Sequence, residues 1–149
     1  MYYELVYKST CVLENLSATD LDRMLINARS TNVSNGITGM LIFYKSQFLQ
    51  LLEGNKDSVE FIFKSKIEQN NKHTDLKILS SGKVKKRSFE KWSMGFCSNK
   101  DLPTSSNENF NLSSIGQLMD NLTFSDKNVP LSQAVYEFIY TYHLMRKLN

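Results

Sequence analysis

Four side chains carry chemistry that does not suit the places the sequence pattern gives them. Gln50 sits in Phe48-Leu49-Gln50-Leu51-Leu52, where alternation puts Phe48, Gln50 and Leu52 on one face and Leu49, Leu51 and Glu53 on the other. An amide buried in such a strand costs about 1–3 kcal/mol unless a polar group meets it. Its donors at one end and acceptor at the other suit it to bridging two partners. Tyr7, near the end of an opening strand, offers a hydroxyl, Asn32 a second amide, and Met94 a soft thioether in a later strand. Taken singly, each reads as structural: a core tyrosine, a turn residue, a paired amide, a flexible filler. Tyr7 and Gln50 can both face one helix layer, and all four converge on the same part of the chain's fold.

Other chemistry is excluded more readily. Two histidines, His73 and His143, and two cysteines, Cys11 and Cys97, form no metal-like cluster. Gly36-Ile37-Thr38-Gly39 lacks the later Gly and Lys of a phosphate loop. The net charge of +3 is too small to argue for nucleic acid, and no aromatic platform accompanies Lys83-Val84-Lys85-Lys86-Arg87, which reads as a solvated connection. With 41% apolar and 22% charged residues in 149, the chain has the composition of one soluble domain. No run approaches the ~18 apolar residues of a membrane span. The opening residues carry no signal-peptide pattern, so cysteines as thiols in a reducing cytoplasm are expected.

The elements that must position these residues follow from periodicity. Tyr2–Lys8 is a strand with Tyr3, Leu5 and Tyr7 on one face. Ser17–Arg29 is a helix, with Ser17 as N-cap, Asp20 three residues on, and Leu21, Met24, Leu25 and Ala28 on one stripe. Ser30–Gly36 breaks it, so Asn32 is expected just beyond the helix. The hairpin Ile37–Tyr44 and Gln47–Glu53 turns at Lys45-Ser46. A second helix covers 57–69, with Val59, Ile62, Phe63 and Ile67 inward, and Asn70–Asp75 is a loop. Strands follow at Leu76–Ser80 and Trp92–Cys97. The order β-α-β-β-α-β-β predicts an α+β, ferredoxin-like sheet with both helices on one face. A linker rich in Asn and Ser spans 99–113. Beyond it Ser113–Leu122 and 131–147, the latter opened by Pro130, are expected as a two-helix cap on the other face.

In combination the motifs resemble the BLUF family of flavin-binding blue-light sensors. The residues that carry the resemblance are Tyr7-Lys8-Ser9, then Ala28-Arg29-Ser30-Thr31-Asn32, Gly36-Ile37-Thr38-Gly39, Phe48-Leu49-Gln50-Leu51-Leu52-Glu53-Gly54 and Phe89-Glu90-Lys91-Trp92-Ser93-Met94. They cover 1–98 in order, leaving 99–149 as linker and cap of a short, single-domain member. The resemblance implies FAD held without a covalent bond between the two helices. It implies Tyr7 as photochemical electron and proton donor, and Gln50 as a bridge from the Tyr7 hydroxyl to the flavin edge. Asn32 would hold the ring's carbonyl edge, Met24 and Ile67 would wall the ring, and Trp92 and Met94 would exchange places near Gln50 in signalling. His73 matches the family pattern, whereas Lys72 stands where many relatives carry Arg, a point charge in place of a fork.

A sensor of this kind turns over no substrate. It is expected in the cytoplasm, as a homo-oligomer, passing its signal to a partner protein through the C-terminal helices, without membrane or direct nucleic-acid binding. Two other classes compete. An acylphosphatase-like enzyme needs an Arg in the loop after the first strand, and Ser9–Glu14 supplies none. A flavin-free, ferredoxin-like interaction module explains a helical cap but leaves Gln50 without a partner.

Overall fold

A computed structural model describes residues 1–12, 17–44, 46–70, 72–98 and 130–137. Strand β1 (Tyr2–Cys11) leads to helix α1 (Ala18–Ser34), then to β2 (Thr38–Tyr44) and β3 (Gln47–Gly54). Helix α2 (Lys56–Ile62) continues as a wider, π-type turn over Phe63–Ile67, followed by β4 (His73–Val84) and β5 (Gly95–Ser98). The sheet runs β4-β1-β3-β2-β5. β3 lies antiparallel between β1 and β2, β4 is antiparallel to β1, and β5 is parallel to β2. This is the expected ferredoxin-like arrangement with one strand added at an edge.

One core lies between the sheet and the helices. Leu21 and Leu25 of α1 and Val59, Ile62 and Phe63 of the second helix pack on Leu5, Leu41, Phe43, Phe48 and Leu52. Fully burying each such side chain is worth about 1.5–3 kcal/mol. The α1 entry is a complete capping box: the Ser17 hydroxyl accepts from the Asp20 amide, and the Asp20 carboxylate accepts from the Ser17 amide. The Ser17 hydroxyl also donates to the Asp20 carboxylate at 2.8 Å, which holds that carboxyl below the usual carboxylate range.

The opposite face is also covered. Val6, Met40, Ile42, Leu49 and Leu51 are buried there, and residues 131–137 are helical with Leu131 and Val135 inward. Glu4 and Glu53 face each other across β1 and β3 on this side, both buried. Glu53 accepts from the amides of Ser88 (2.9 Å) and Phe89 (2.8 Å). Glu4 accepts from the Ser80 hydroxyl at 3.0 Å and from both the amide and hydroxyl of Ser132. Two carboxylates therefore pin the segment after β4 and the C-terminal helical residues to the sheet. Burial pushes the Glu53 carboxyl above its ordinary value of 4.5, with the nearby Glu4 adding to the rise. A raised folded-state value means that its contribution to stability is full below pH 4.5 and is lost as pH rises through the folded value. Urea unfolding should thus show stability falling from pH 4.5 upward, with Glu53→Gln flattening that slope; an unchanged slope in the variant would assign it elsewhere.

Several boundaries differ from expectation. α1 runs to Ser34, through the segment expected to break it, because the Asn35 amide side chain bonds Thr31 O at 2.8 Å and its backbone N–H bonds Asn32 O at 3.1 Å. Asn32 therefore sits in the last turn of α1. β4 begins at His73 and reaches Val84, longer than Leu76–Ser80, because an edge strand exposed along most of its length shows no apolar alternation. β5 begins at Gly95, so Trp92 and Met94 lie in the turn before it. Arg87 is no solvated link: it donates to Gly36 O at 2.8 Å and stacks on Tyr2 at 4.9 Å. Cys11 lies in β1 and Cys97 in β5, strands three spacings, roughly 14 Å, apart in the sheet. The linker at 99–113, the helix Ser113–Leu122 and the second half of the last helix lie outside the described residues.

Candidate functional site

The β1–β3 register sets Tyr7 directly opposite Gln50 on the helix side of the sheet. The Tyr7 hydroxyl donates to Gln50 Oε1, and both side chains are buried. Phe63 meets the Tyr7 ring edge-on at 5.7 Å and His73 lies 6.1 Å from it, so the phenol is braced from the second helix and from β4. Burial pushes the phenol far above the usual tyrosine range, which keeps it protonated through physiological pH.

Gln50 Nε2 points to Met94, whose sulfur lies 3.7 Å away. A thioether is a weak acceptor, so this buried amide donor is underserved. Met94 is 2% exposed whereas Trp92 is 42% exposed, so the methionine is the inward residue of the pair.

A cavity of about 240 Å³ opens beside this pair, between α1 and the second helix. Tyr7, Leu41, Phe48 and Gln50 form its sheet side, with Met24, Ala28 and Asn32 from α1 and Ile62 and Ile67 opposite. Lys66, Asn70 and Lys72 line it while remaining exposed, which makes its outer rim polar and basic. The volume is below the ~300–1,000 Å³ common for drug-sized ligands, so it suits a flat ring inside with a polar tail along the rim.

Asn32 is 2% exposed and donates from Nδ2 to Ser93 O at 2.7 Å, which leaves its other amide N–H and its Oδ1 for the cavity. His73 reaches the cavity too, but both its nitrogens are engaged: Nε2 with Ile67 O at 2.6 Å and Nδ1 with Ser9 Oγ at 2.8 Å. A carbonyl only accepts, so Nε2 carries the proton and the imidazole staples the π-type turn to β1.

The sequence-predicted Tyr7, Met24, Asn32, Gln50, Ile67, Lys72 and His73 thus meet around one cavity, with Met94 behind Gln50. Trp92 stands outside. Sequence reasoning missed Lys66 and Thr31, which also line the cavity, and Arg29, whose Nε donates to Met94 O at 2.9 Å. The signal for Arg29 and Thr31 was their place beside Asn32 in one helical stretch; for Lys66 it was adjacency to Ile67.

The family model described as sensors of blue light using FAD, BLUF, matches residues 2–95. The photoactivated adenylate cyclase subunit beta of Euglena longa is 29% identical over 90 residues, 60% of this chain but only 10% of that protein. Among solved structures, a bacterial light-regulated adenylyl cyclase matches with a TM-score of 0.68 at 28% identity, over 83% of this chain and 34% of that one. BlsA in its photo-activated state matches with a TM-score of 0.68 at 27% identity, over 95% of this chain and 94% of that one.

Proposed function

The chain belongs to the BLUF family of flavin-based blue-light sensors, and we propose that its switch is the Tyr7–Gln50 hydrogen bond, with FAD as the flavin it holds. The observation that carries this reading is the buried Gln50 amide beside the cavity, bound to a phenol on one side and to no strong acceptor on the other. The cavity's chemistry fits such a guest: apolar walls from Met24, Ile62 and Ile67, and polar edge groups from Asn32 and Gln50.

Bound there, a flavin supplies the absorption of blue light and the acceptor for one electron. Tyr7 is the donor. Its phenol is held neutral by burial, and loss of an electron from the ring makes its proton strongly acidic. Gln50 Oε1 already accepts the hydroxyl hydrogen bond, so the proton has its path in place. Return of electron and proton to Tyr7 leaves the Gln50 amide turned about or tautomerised. A turned amide presents Nε2 toward Tyr7 and withdraws it from the Met94 sulfur, so the turn before β5 feels the change. A hydrogen bond from the turned Gln50 amide to a bound flavin would lower its absorption energy, which would appear as a red shift. No substrate is turned over.

Asn32 would hold the ring edge, Met24 and Ile67 its faces, and Lys66 and Lys72 the phosphates of the tail. His73, with both nitrogens committed, would position the Ile67 wall. A flavin-free interaction module leaves the Gln50 donor on a thioether, which disfavours that reading. The output is proposed to pass through the C-terminal helices to a partner protein, in a homo-oligomeric sensor in the cytoplasm. No helix among the described residues is long and apolar enough to cross a membrane.

The test is optical: the purified chain should carry flavin absorbance and show a reversible red shift under blue light, and a colourless protein that cannot be loaded with FAD would sink the reading. Chromatography of the released cofactor should yield FAD. Replacing both Lys66 and Lys72 with Ala should weaken FAD binding by about five- to tenfold, since each exposed ion pair is worth up to ~1 kcal/mol. Riboflavin, which lacks phosphate, should bind the variant and the parent alike in a fluorescence titration; equal loss for both flavins would deny these lysines a phosphate contact.

A further inference from the structure

Three consecutive carbonyls in the turn before β5 are each held by a different donor. Trp92 O accepts from the Gly39 amide at 2.9 Å, Ser93 O from Asn32 Nδ2 at 2.7 Å, and Met94 O from Arg29 Nε at 2.9 Å. Arg29 and Asn32 are three residues apart, on one face of α1. Gly39 reaches in from β2. The turn whose Met94 sulfur meets Gln50 is therefore clamped from a helix and a strand together.

We infer that Arg29 is a positioning residue of the photoswitch, clasping Met94 O so that the turn stays closed with Met94 behind Gln50 and Trp92 outside. The inference rests on the photoreceptor reading. Arg29 does not line the cavity, so its part is played through Met94 and not through the flavin. Among the described residues its guanidinium has no carboxylate partner to divert it; the carbonyl receives a charge-assisted bond. Asn32 shares the task but also faces the cavity, which leaves Arg29 as the member that separates holding the turn from holding the ligand. When Gln50 withdraws its donor from the sulfur, the clasp is what the turn must release before Met94 can leave.

The test is amide hydrogen exchange on the flavin-loaded chain, in darkness and under blue light, for the parent, Arg29→Ala and Arg29→Lys. Gly39 is the reporter, because its amide is protected by Trp92 O in the same turn. In darkness Arg29→Ala should raise Gly39 exchange about tenfold, the loss of one hydrogen bond to a charged donor, while amides of the β1–β3 ladder stay unchanged. Arg29→Lys keeps a cation of similar reach and should raise it about threefold or less; it carries the same test if the alanine variant does not fold. Light should speed Gly39 exchange in the parent and add little in Arg29→Ala. The clasp is overturned if Gly39 exchange does not change in either variant, or if the β1–β3 amides rise with it, which marks a general loss of stability. A parent chain with no red shift overturns the photoreceptor reading instead, and the dark comparison still decides the clasp.

Discussion

Replacing Tyr7 with phenylalanine should abolish the light-driven red shift while the chain still takes up its flavin. The substitution removes one oxygen and keeps the ring that packs edge-on against Phe63 at 5.7 Å. The cavity keeps its wall and its volume. What is lost is the hydroxyl of the proposed electron donor, the only donor facing Gln50 Oε1 in the described site. Leaving that acceptor buried without a partner costs about 1–3 kcal/mol, a modest fraction of a domain's stability, so the protein should remain folded. Light-minus-dark absorption is the measurement, and the expected amplitude is zero. A Tyr7→Phe protein with a normal, reversible shift would leave the proposed photochemistry without its donor.

Replacing Gly39 with alanine should destabilise the fold by roughly 3 kcal/mol or more. The reason is space and not backbone freedom. A Cβ built there would stand 1.9 Å from Leu51 O and 3.0 Å from Leu51 C, both backbone atoms of the partner strand. Neither can turn aside as a flexible side chain can. β2 would have to part from β3 next to Gln50, and the Gly39 amide would be drawn off Trp92 O. Against a total stability of about 5–15 kcal/mol, the cost should lower the urea midpoint sharply. Gly82→Ala is the control, because nothing lies within 4 Å of a Cβ at that position. Equal midpoints for the two variants would show that β2 and β3 accommodate the methyl group.

The parts of this architecture that were legible in the sequence are those whose residues declare a periodicity. The β2–β3 hairpin, the capping box at Ser17 and the inward stripe of Val59, Ile62 and Phe63 follow from alternation and spacing alone. That Tyr7 and Gln50 share the helix side follows too, but alternation does not set the register that puts them opposite each other, and only the family resemblance paired them. What was not legible depends on partners distant in the chain. β4 pairs with β1 over residues such as Lys77, Lys83 and Thr74, whose side chains face solvent and announce no buried face. Trp92 reads as a strand residue by type, yet it lies outside the core and β5 starts only at Gly95. The last turn of α1 runs through residues that favour turns, because Arg29 and Asn32 have carbonyls to meet sixty residues away. Nor does any local signal announce that the second helix widens at Phe63–Ile67, where His73 caps the Ile67 carbonyl.

Trp92 is the sole tryptophan in the sequence, set among seven tyrosines. Its indole covers Gly95 so closely that a Cβ there would lie 2.2 Å from the ring. Excited at the red edge of the tyrosine band, the protein's own ultraviolet emission therefore arises from a single address, the turn leading into β5. The molecule comes with a fluorescent label already attached in the turn that the proposed switch acts on, and that label can be followed without a dye, an added cysteine or any change to the chain.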